Sequence, residues 1–163
     1  MTTTALTSPP VSIFLQTLVG IFKRPPRLQI AALCYRKSRK GLEVLLVTSR
    51  GTGRWILPKG WPELKEAGHE TAATEAYEEA GVVGSAENKP FAHFRSHKGM
   101  DGGLNLRTRV DVYLIKAEEQ LADFPENGQR DIAWVPVSKA IEMTDEPGLH
   151  RILKRLEAEF KRR

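Results

Sequence analysis

The chain has 163 residues, of which 40% are hydrophobic and 28% charged, and its formal net charge is +5. Length and composition predict one soluble globular domain with tails. The single cysteine, Cys34, excludes an internal disulfide, and its place in an apolar run predicts a buried small hydrophobe. We therefore expect a protein of the reducing cytoplasm.

The basic charge balance leaves three partner classes open: nucleic acid, a membrane surface and a polyanionic small molecule. The basic residues are scattered and not interleaved with aromatic residues, and no nucleic-acid motif is present. Most of them are predicted to be solvated surface charges. We expect a small-molecule partner and no nucleic acid.

Residues 1–26 are predicted to form a tail and an apolar arm. Residues 1–10 are rich in Thr, Ser and Pro, a composition typical of disorder. Residues 11–22 are apolar but too short to span a bilayer, and they lack the preceding positive charge of a signal peptide. We expect this arm to pack on the domain or on a second subunit of a homodimer. A reversible membrane contact aided by Lys23 and Arg24 is the alternative.

The domain, residues 27–163, opens with two strand patterns. Residues 28–35 and 42–48 are rich in Val, Leu and Ala, and the turn between them at residues 38–41 predicts a hairpin. Residues 50–54 form a Gly-rich loop. The lone cysteine lies within the first strand, which agrees with its predicted burial.

After residue 82 we expect a loop to Asn88 and a strand over residues 90–97. Residues 106–115 show the clearest alternation of the chain, with Arg107 and Arg109 on one face. These two arginines could bind polyphosphate, or they could pair with Asp111.

The C-terminal third is predicted to be a loop at residues 118–129, a strand at residues 131–137 and two helices. Ser138 can cap a short helix that ends at Met143. Pro147 suits the first turn of a last helix, which carries an apolar stripe at i, i+3 and i+4: Leu149, Ile152, Leu153, Leu156 and Phe160. Strands interleaved with helices predict an α/β fold.

Residues 60–82 carry the candidate chemistry. On a helix, Glu75, Glu78 and Glu79 share one stripe because neighbours three and four apart lie on one face. The opposite side is predicted to pack against the domain through four residues: Ala73, Ala76, Tyr77 and Ala80. Gly81 then suits the left-handed position that ends a helix.

Three adjacent carboxylates repel one another unless a cation lies between them. Carboxylate oxygens are natural ligands of Mg²⁺, which also binds substrate phosphates. The cluster therefore predicts a metal platform for phosphate chemistry. The helical segment taken alone favours a solvated, Glu-rich helix face, because Glu is a good helix former.

The longer spacing resembles the Nudix hydrolase signature. Gly60 is followed after five residues by Glu66, and the helix then supplies Glu75-Ala-Tyr-Glu-Glu-Ala-Gly-Val. Six of the seven invariant polar or glycine positions of that signature match. The departure is Thr74, where the family has an Arg that pairs with the carboxylates and orients them. Thr can offer one hydroxyl at this position but no charge.

The resemblance implies the fold and the reaction. The fold would be an α/β/α sandwich with a mixed central sheet over roughly residues 27–160. The reaction would be hydrolysis of a diphosphate linked to another group, with Mg²⁺, or Mn²⁺ as the alternative ion, held by three carboxylates and by the carbonyl of Gly60. Glu75 and Glu79 are the candidate catalytic residues. The general base would be Glu75 or a glutamate outside the motif, and Glu66 would be structural.

The flanking sequence is similar to one Nudix subgroup, which hydrolyses diphosphoinositol polyphosphates and diadenosine polyphosphates. The similarity lies in residues 54–63 and in Gly128-Gln129-Arg130 followed by Trp134. The basic balance agrees with such polyanionic substrates. The candidate phosphate contacts are five cations: Arg50, Arg54, Lys59, Arg107 and Arg130.

Two other functions stay open. A non-catalytic, Nudix-like binding module is suggested by Thr74, although the three intact carboxylates argue against it. A protein that processes RNA ends would need a base-stacking surface, and the sequence shows none.

Overall fold

A computed structural model describes residues 26–39, 41–99 and 105–162. The predicted tail and nearly all of the apolar arm lie outside these ranges. The elements are, in order, β1 (Arg27–Ser38), β2 (Gly41–Thr48), β3 (Trp55–Ile56), β4 (Lys59–Gly60), α1 (Gly68–Ala80), β5 (Val82–Ala86), β6 (Ala92–Gly99), β7 (Asn105–Gln120), β8 (Ile132–Pro136), α2 (Val137–Met143) and α3 (Pro147–Lys161). Within the described ranges, no helix is both long enough and apolar enough to cross a membrane.

The strands form one mixed sheet around β1. Strand β1 pairs antiparallel with β2, as the predicted hairpin requires, and parallel with β7. Strand β7 also pairs with β5 and β6, and β8 pairs with β2. The short strand β4 pairs with β1 at Ile30 and Ala31, which places Gly60 beside the central strand β1.

Helices cover both faces of the sheet, because the side chains of β1 alternate between two cores. Ile30 and Cys34 pack with α1, whereas Ala31 and Leu33 pack with α2 and α3. Such alternation is the period-2 pattern of a strand buried on both sides. The predicted α/β/α sandwich with a mixed central sheet is confirmed, and so is the burial of Cys34, whose pKa burial raises to about 12.

Helix α1 is rotated about its axis relative to the sequence prediction. Its buried apolar stripe is Ala72, Ala76 and Ala80, whereas Tyr77 is 38% exposed. The prediction that Tyr77 packs inward is wrong. Three alanines at i, i+4 and i+8 let the helix approach the sheet closely, and this orientation buries Glu79 at the edge of the stripe, with 5% exposure. The helix ends as predicted at Gly81, which has a φ of 68°.

Other boundaries differ from the prediction. Residues 83–86, predicted as part of a loop, belong to the strand β5, and β7 continues to Gln120. Strand β5 contains Gly84 at a bulge, and few of its side chains are buried, so its sequence has little of a strand pattern. Ser138 does not cap α2, which begins at Val137 after Pro136. Helix α3 begins at Pro147 and buries the predicted stripe up to Leu156.

Candidate active site

One cavity of about 550 Å³ lies where β4 and α1 meet the ends of β1 and β2. It brings together seven of the nine residues predicted to form the site: Arg50, Lys59, Gly60, Glu75, Glu78, Glu79 and Arg130. Arg54 and Arg107 do not line it. Arg54 is exposed and donates to Thr52 Oγ1, and Arg107 is exposed on β7.

The absence of a side chain at Gly60 makes room for Glu75. A Cβ atom built at Gly60 would lie 1.6 Å from Glu75 Oε1. Pairing of Gly60 with Ile30 fixes the backbone on one side, and the packing of Ala76 fixes α1 on the other. The carboxylate of Glu75 therefore reaches the peptide chain of β4 directly.

Glu79 is held on both of its carboxylate oxygens. The backbone N–H of Lys59 donates to Oε2 at 3.3 Å, and Arg130 Nη2 donates to Oε1 at 2.5 Å. The ammonium group of Lys59 donates in turn to Gln29 Oε1 at 3.3 Å. Gln29 is 2% exposed and lines the cavity floor beside the carboxylates.

A further carboxylate, Glu126, completes the acidic wall of the cavity. Its backbone N–H donates to the carbonyl of Glu78 at 3.0 Å, which ties the loop before β8 to α1. Its side chain accepts from Arg130 Nε at 2.7 Å and lies 3.5 Å from Arg50 Nη1. The sequence prediction missed Glu126. The one feature that could have pointed to it is its spacing of four residues from Arg130, with which it forms an ion pair.

The pKa values of Glu75 and Glu79 are both raised to about 7. Burial is the largest cause for each. Glu75 is raised further by the charges of Glu79, Glu78 and Glu126. For Glu79, the guanidinium of Arg130 lowers the pKa and the charge of Glu126 raises it. These carboxylates therefore change charge near neutral pH.

The lining fits a hard divalent cation. Five carboxylates line the described part of the cavity (Glu63, Glu75, Glu78, Glu79 and Glu126), and they outnumber its three cations by two charges. Oxygen donors with uncompensated negative charge favour Mg²⁺ or Mn²⁺. In the described ranges, no three His, Cys, Asp or Glu side chains are already grouped as a metal site.

Glu66 and Thr74 lie outside this wall. The hydroxyl of Thr71 donates to Glu66 Oε2 at 3.4 Å, a contact between the loop and the first turn of α1. Thr74 lines a shallow surface hollow with Tyr77 and Val83.

On β7, Arg109 Nε donates to Asp111 at 2.8 Å. This pairing is one of the two alternatives that the sequence left open for the arginines of this strand.

The family model of the NUDIX domain matches residues 25–156 of the chain. The chain belongs to the NUDIX domain family. The match confirms the resemblance that was predicted from the signature residues. Helix α1 is the helix that contains the glutamates of this signature.

Two curated relatives and one solved structure illustrate the similarity. The chain is 33% identical over 116 residues to mitochondrial Nudix hydrolase 12 of Arabidopsis thaliana, covering 69% of this chain and 57% of that protein. It is 31% identical over 115 residues to human diphosphoinositol polyphosphate phosphohydrolase 3-beta, covering 69% and 66%. The structure of the C. elegans Ap4A hydrolase superposes with a TM-score of 0.60 at 18% identity, over 82% of this chain and 98% of that one.

The chain spans 53–66% of the length of these curated NUDIX relatives. Their names include mitochondrial and chloroplastic proteins, so membership of the family does not fix a compartment. The cytoplasmic location, the homodimer and the domain boundary at residue 27 stay predictions.

Proposed function

We propose that this protein is a Mg²⁺- or Mn²⁺-dependent hydrolase that cleaves a phosphoanhydride bond in a dinucleoside polyphosphate or a diphosphoinositol polyphosphate. The observation that carries this proposal is the cavity in which Glu75, Glu78 and Glu79 face Lys59 and Arg50. A wall of carboxylates suits a divalent cation, and nearby cations suit the phosphates of the substrate.

In the proposed reaction, the oxygen of a water molecule attacks one phosphorus of the P–O–P link. The bond from that phosphorus to the bridging oxygen breaks, and the bridging oxygen leaves with the other phosphate. Glu75, Glu78 and Glu79, with the carbonyl of Gly60, would hold the cation. When bound, the cation neutralises charge on the phosphates and makes a water molecule more acidic.

The proton of the attacking water passes to a carboxylate. Glu75 is one candidate base, since it lies in the same wall of the cavity as the other carboxylates. Glu126 is the other, because it is a glutamate outside the signature that lines the same cavity.

Lys59 and Arg50 are the proposed phosphate contacts. Lys59 lies beside the carboxylates, and the side chain of Arg50 is 61% exposed in the Gly-rich loop at the cavity. Arg54 and Arg107 would contact only parts of a substrate that extend past the cavity lining. The names of the relatives support the two substrate classes, although a shared fold does not fix a substrate.

A non-catalytic binding module is the second candidate, because Thr74 stands where the signature has an arginine. The intact carboxylates weigh against it. A binding module has no use for a buried and a half-buried carboxylate whose charges repel, since a neutral or basic lining would bind polyphosphate better.

The test is release of phosphate or nucleotide from a panel of diadenosine polyphosphates, diphosphoinositol polyphosphates, ADP-ribose and nucleoside triphosphates. Each substrate is assayed with Mg²⁺, with Mn²⁺ and with a chelator. We expect metal-dependent turnover of one or both of the first two classes. Binding without turnover of any substrate would favour the binding module.

A further inference from the structure

The fold holds the side chain of Arg130 from three directions. Its Nη2 donates to Glu79 at 2.5 Å, its Nε to Glu126 at 2.7 Å and its Nη1 to the carbonyl of Thr48 at 3.0 Å. The side chain is 6% exposed. All three guanidinium nitrogens therefore have an acceptor, and each acceptor belongs to a different part of the fold.

The backbone around Arg130 is fixed as firmly as its side chain. The N–H of Asp131 donates to Thr48 Oγ1 at 2.9 Å, and the N–H of Thr48 donates to the carbonyl of Asp131 at 3.0 Å. The preceding loop is tied to α1 through Glu126. Arg130 thus projects toward Glu79 from a rigid junction between the end of β2 and the start of β8.

The other cavity cations differ from Arg130. Arg50 is 61% exposed and only approaches Glu126 at 3.5 Å. The ammonium group of Lys59 points to Gln29 and its backbone N–H to Glu79. An arginine sealed between two carboxylates and a carbonyl is poorly placed to bind a phosphate, because it would have to give up partners that are themselves buried.

Helix α1 contains no lysine or arginine, so the positive charge next to Glu79 has to come from another element. Thr74, the signature position that departs from the family pattern, faces the shallow hollow beside Tyr77 and not the cavity. Glu79 is also nearly sealed, with 7% of its side chain exposed. A buried carboxylate of this kind takes its orientation from its hydrogen-bond partners.

We propose that Arg130 is a positioning residue: it holds Glu79 in the orientation in which this carboxylate binds the divalent cation, and it does not contact the substrate. The inference rests on the proposed function for the identity of Glu79 as a metal ligand. The orienting group of the carboxylates would then lie outside the signature helix, on the loop before β8.

The planar, forked guanidinium is essential to this role. It donates in three fixed directions, whereas a lysine ammonium is a single point of charge on a flexible stem. Arg130→Lys therefore keeps the charge and loses the geometry. If Arg130 served only to offset negative charge, the lysine variant would behave as the wild type does.

The experiment is a titration of the metal-free protein with Mn²⁺, in which the electron paramagnetic resonance signal of unbound Mn²⁺ gives the Kd. We expect Arg130→Gln to weaken binding about tenfold or more, the range found for partners of metal ligands. Arg130→Lys is expected to weaken it at least fivefold. Circular dichroism and thermal melting check that each variant is folded, and the lysine variant carries the test if the glutamine variant does not fold.

Two arginine variants serve as comparisons. Arg155→Gln removes an exposed arginine of α3 that pairs with Glu159, outside the cavity lining, and should leave the Mn²⁺ Kd unchanged. Arg50→Gln should raise KM for a polyphosphate and leave the Mn²⁺ Kd within threefold. Arg130→Gln should instead lower kcat about tenfold or more, with KM within threefold.

An unchanged or tighter Mn²⁺ Kd in Arg130→Gln would overturn the proposal, and so would a lysine variant equal to the wild type. A rise in KM alone would make Arg130 a substrate contact instead. The metal titration needs no substrate. If the wild type turned over none of the panel, the proposed reaction would fail while the positioning role would still be decided by the Kd values.

Discussion

Glu79 combines features that a surface carboxylate never has together. It is 5% exposed, both of its oxygens accept hydrogen bonds, and its pKa is nevertheless raised to about 7 because burial outweighs the nearby cations. The folded protein therefore disfavours the charged form of Glu79. A perturbed pKa of this kind is typical of a functional site, and a cation that entered this site would favour the charged form again.

Substitution of Glu79 by Gln should therefore abolish turnover and leave the fold intact. The amide keeps the shape, and its oxygen can still accept from Arg130, but the substitution removes the negative charge that is proposed to bind the cation. We expect kcat to fall by about 100-fold or more. Stopped assays of phosphate release measure the loss, and circular dichroism with thermal melting checks the fold. Turnover close to that of the wild type would remove Glu79 from the metal site.

Thr74→Arg addresses the departure from the signature. An arginine at position 74 would be four residues from Glu78, and such a helical pair contributes about 0.2–0.5 kcal/mol, which corresponds to about a twofold effect. Because Arg130 already holds Glu79, we expect kcat to stay within about threefold of the wild type. A tenfold rise would mean that the carboxylates of the natural protein are poorly oriented, and a tenfold drop would mean that the added side chain disrupts them.

The signature predicted which residues meet at the cavity, but not how they contact one another. The signature residues are close in sequence and their helical spacing can be computed, so the meeting of Glu75, Glu78 and Glu79 was predictable. Glu126 and Arg130 reach the cavity through a loop whose path depends on hydrogen bonds to Thr48 and Glu78. No local pattern in the sequence encodes such contacts.

At the level of elements, the close meeting of β4 and α1 builds the site. Prediction gave the hairpin and α3 because their apolar patterns are strong, and α1 because the signature and the spacing of its carboxylates indicate a helix. It misjudged the rotation of α1, since Ala72 and Ala73 are equally small and the sequence does not show which of them faces the sheet. The observed rotation turns the carboxylate edge of the helix toward Gly60 and Lys59.

Gly60→Ala tests this meeting of elements. The added methyl group would occupy the position of the Glu75 carboxylate, 1.6 Å from Oε1, so that either the side chain or the strand has to move. We expect weaker Mn²⁺ binding, a kcat at least tenfold lower and a reduced thermal midpoint, because overpacking costs about 1–3 kcal/mol. Gly51→Ala is the matched control for stability, since a Cβ there meets nothing within 4 Å. Equal midpoints and equal Mn²⁺ Kd values in both variants would contradict the tight fit.

On the scale of the whole molecule, the charge of the cavity opposes that of the chain. The chain carries a net charge of +5, yet the carboxylates of the cavity outnumber its cations by two. The surface charge attracts a polyanion over the range of a Debye length, about 8 Å at physiological salt. Inside the cavity the same polyanion meets negative charge. A divalent cation bound there would resolve that conflict.

The negative charge of the cavity should also affect the stability of the whole protein as a function of pH. The pKa values of Glu75 and Glu79 are raised from the ordinary 4.5 to about 7, first by burial, so both carboxyls hold their protons more strongly in the folded than in the unfolded chain. Their contribution to folding is complete below pH 4.5 and is lost as the pH rises through 7. The thermal midpoint of the metal-free protein should therefore fall between about pH 5 and pH 8.

Thermal melts at half-unit steps of pH, with a chelator and with Mg²⁺, measure this loss. Mg²⁺ binds the ionised carboxylates, so it should raise the midpoint most at pH 8 and least at pH 5. The double variant Glu75→Gln, Glu79→Gln removes both titrating groups, and its midpoint should fall less steeply and respond little to Mg²⁺. If the wild type and the double variant showed the same slope, the burial of these two carboxylates would not govern the pH dependence. A Mg²⁺ effect that stayed the same in the variant would mean that the ion binds elsewhere on the protein.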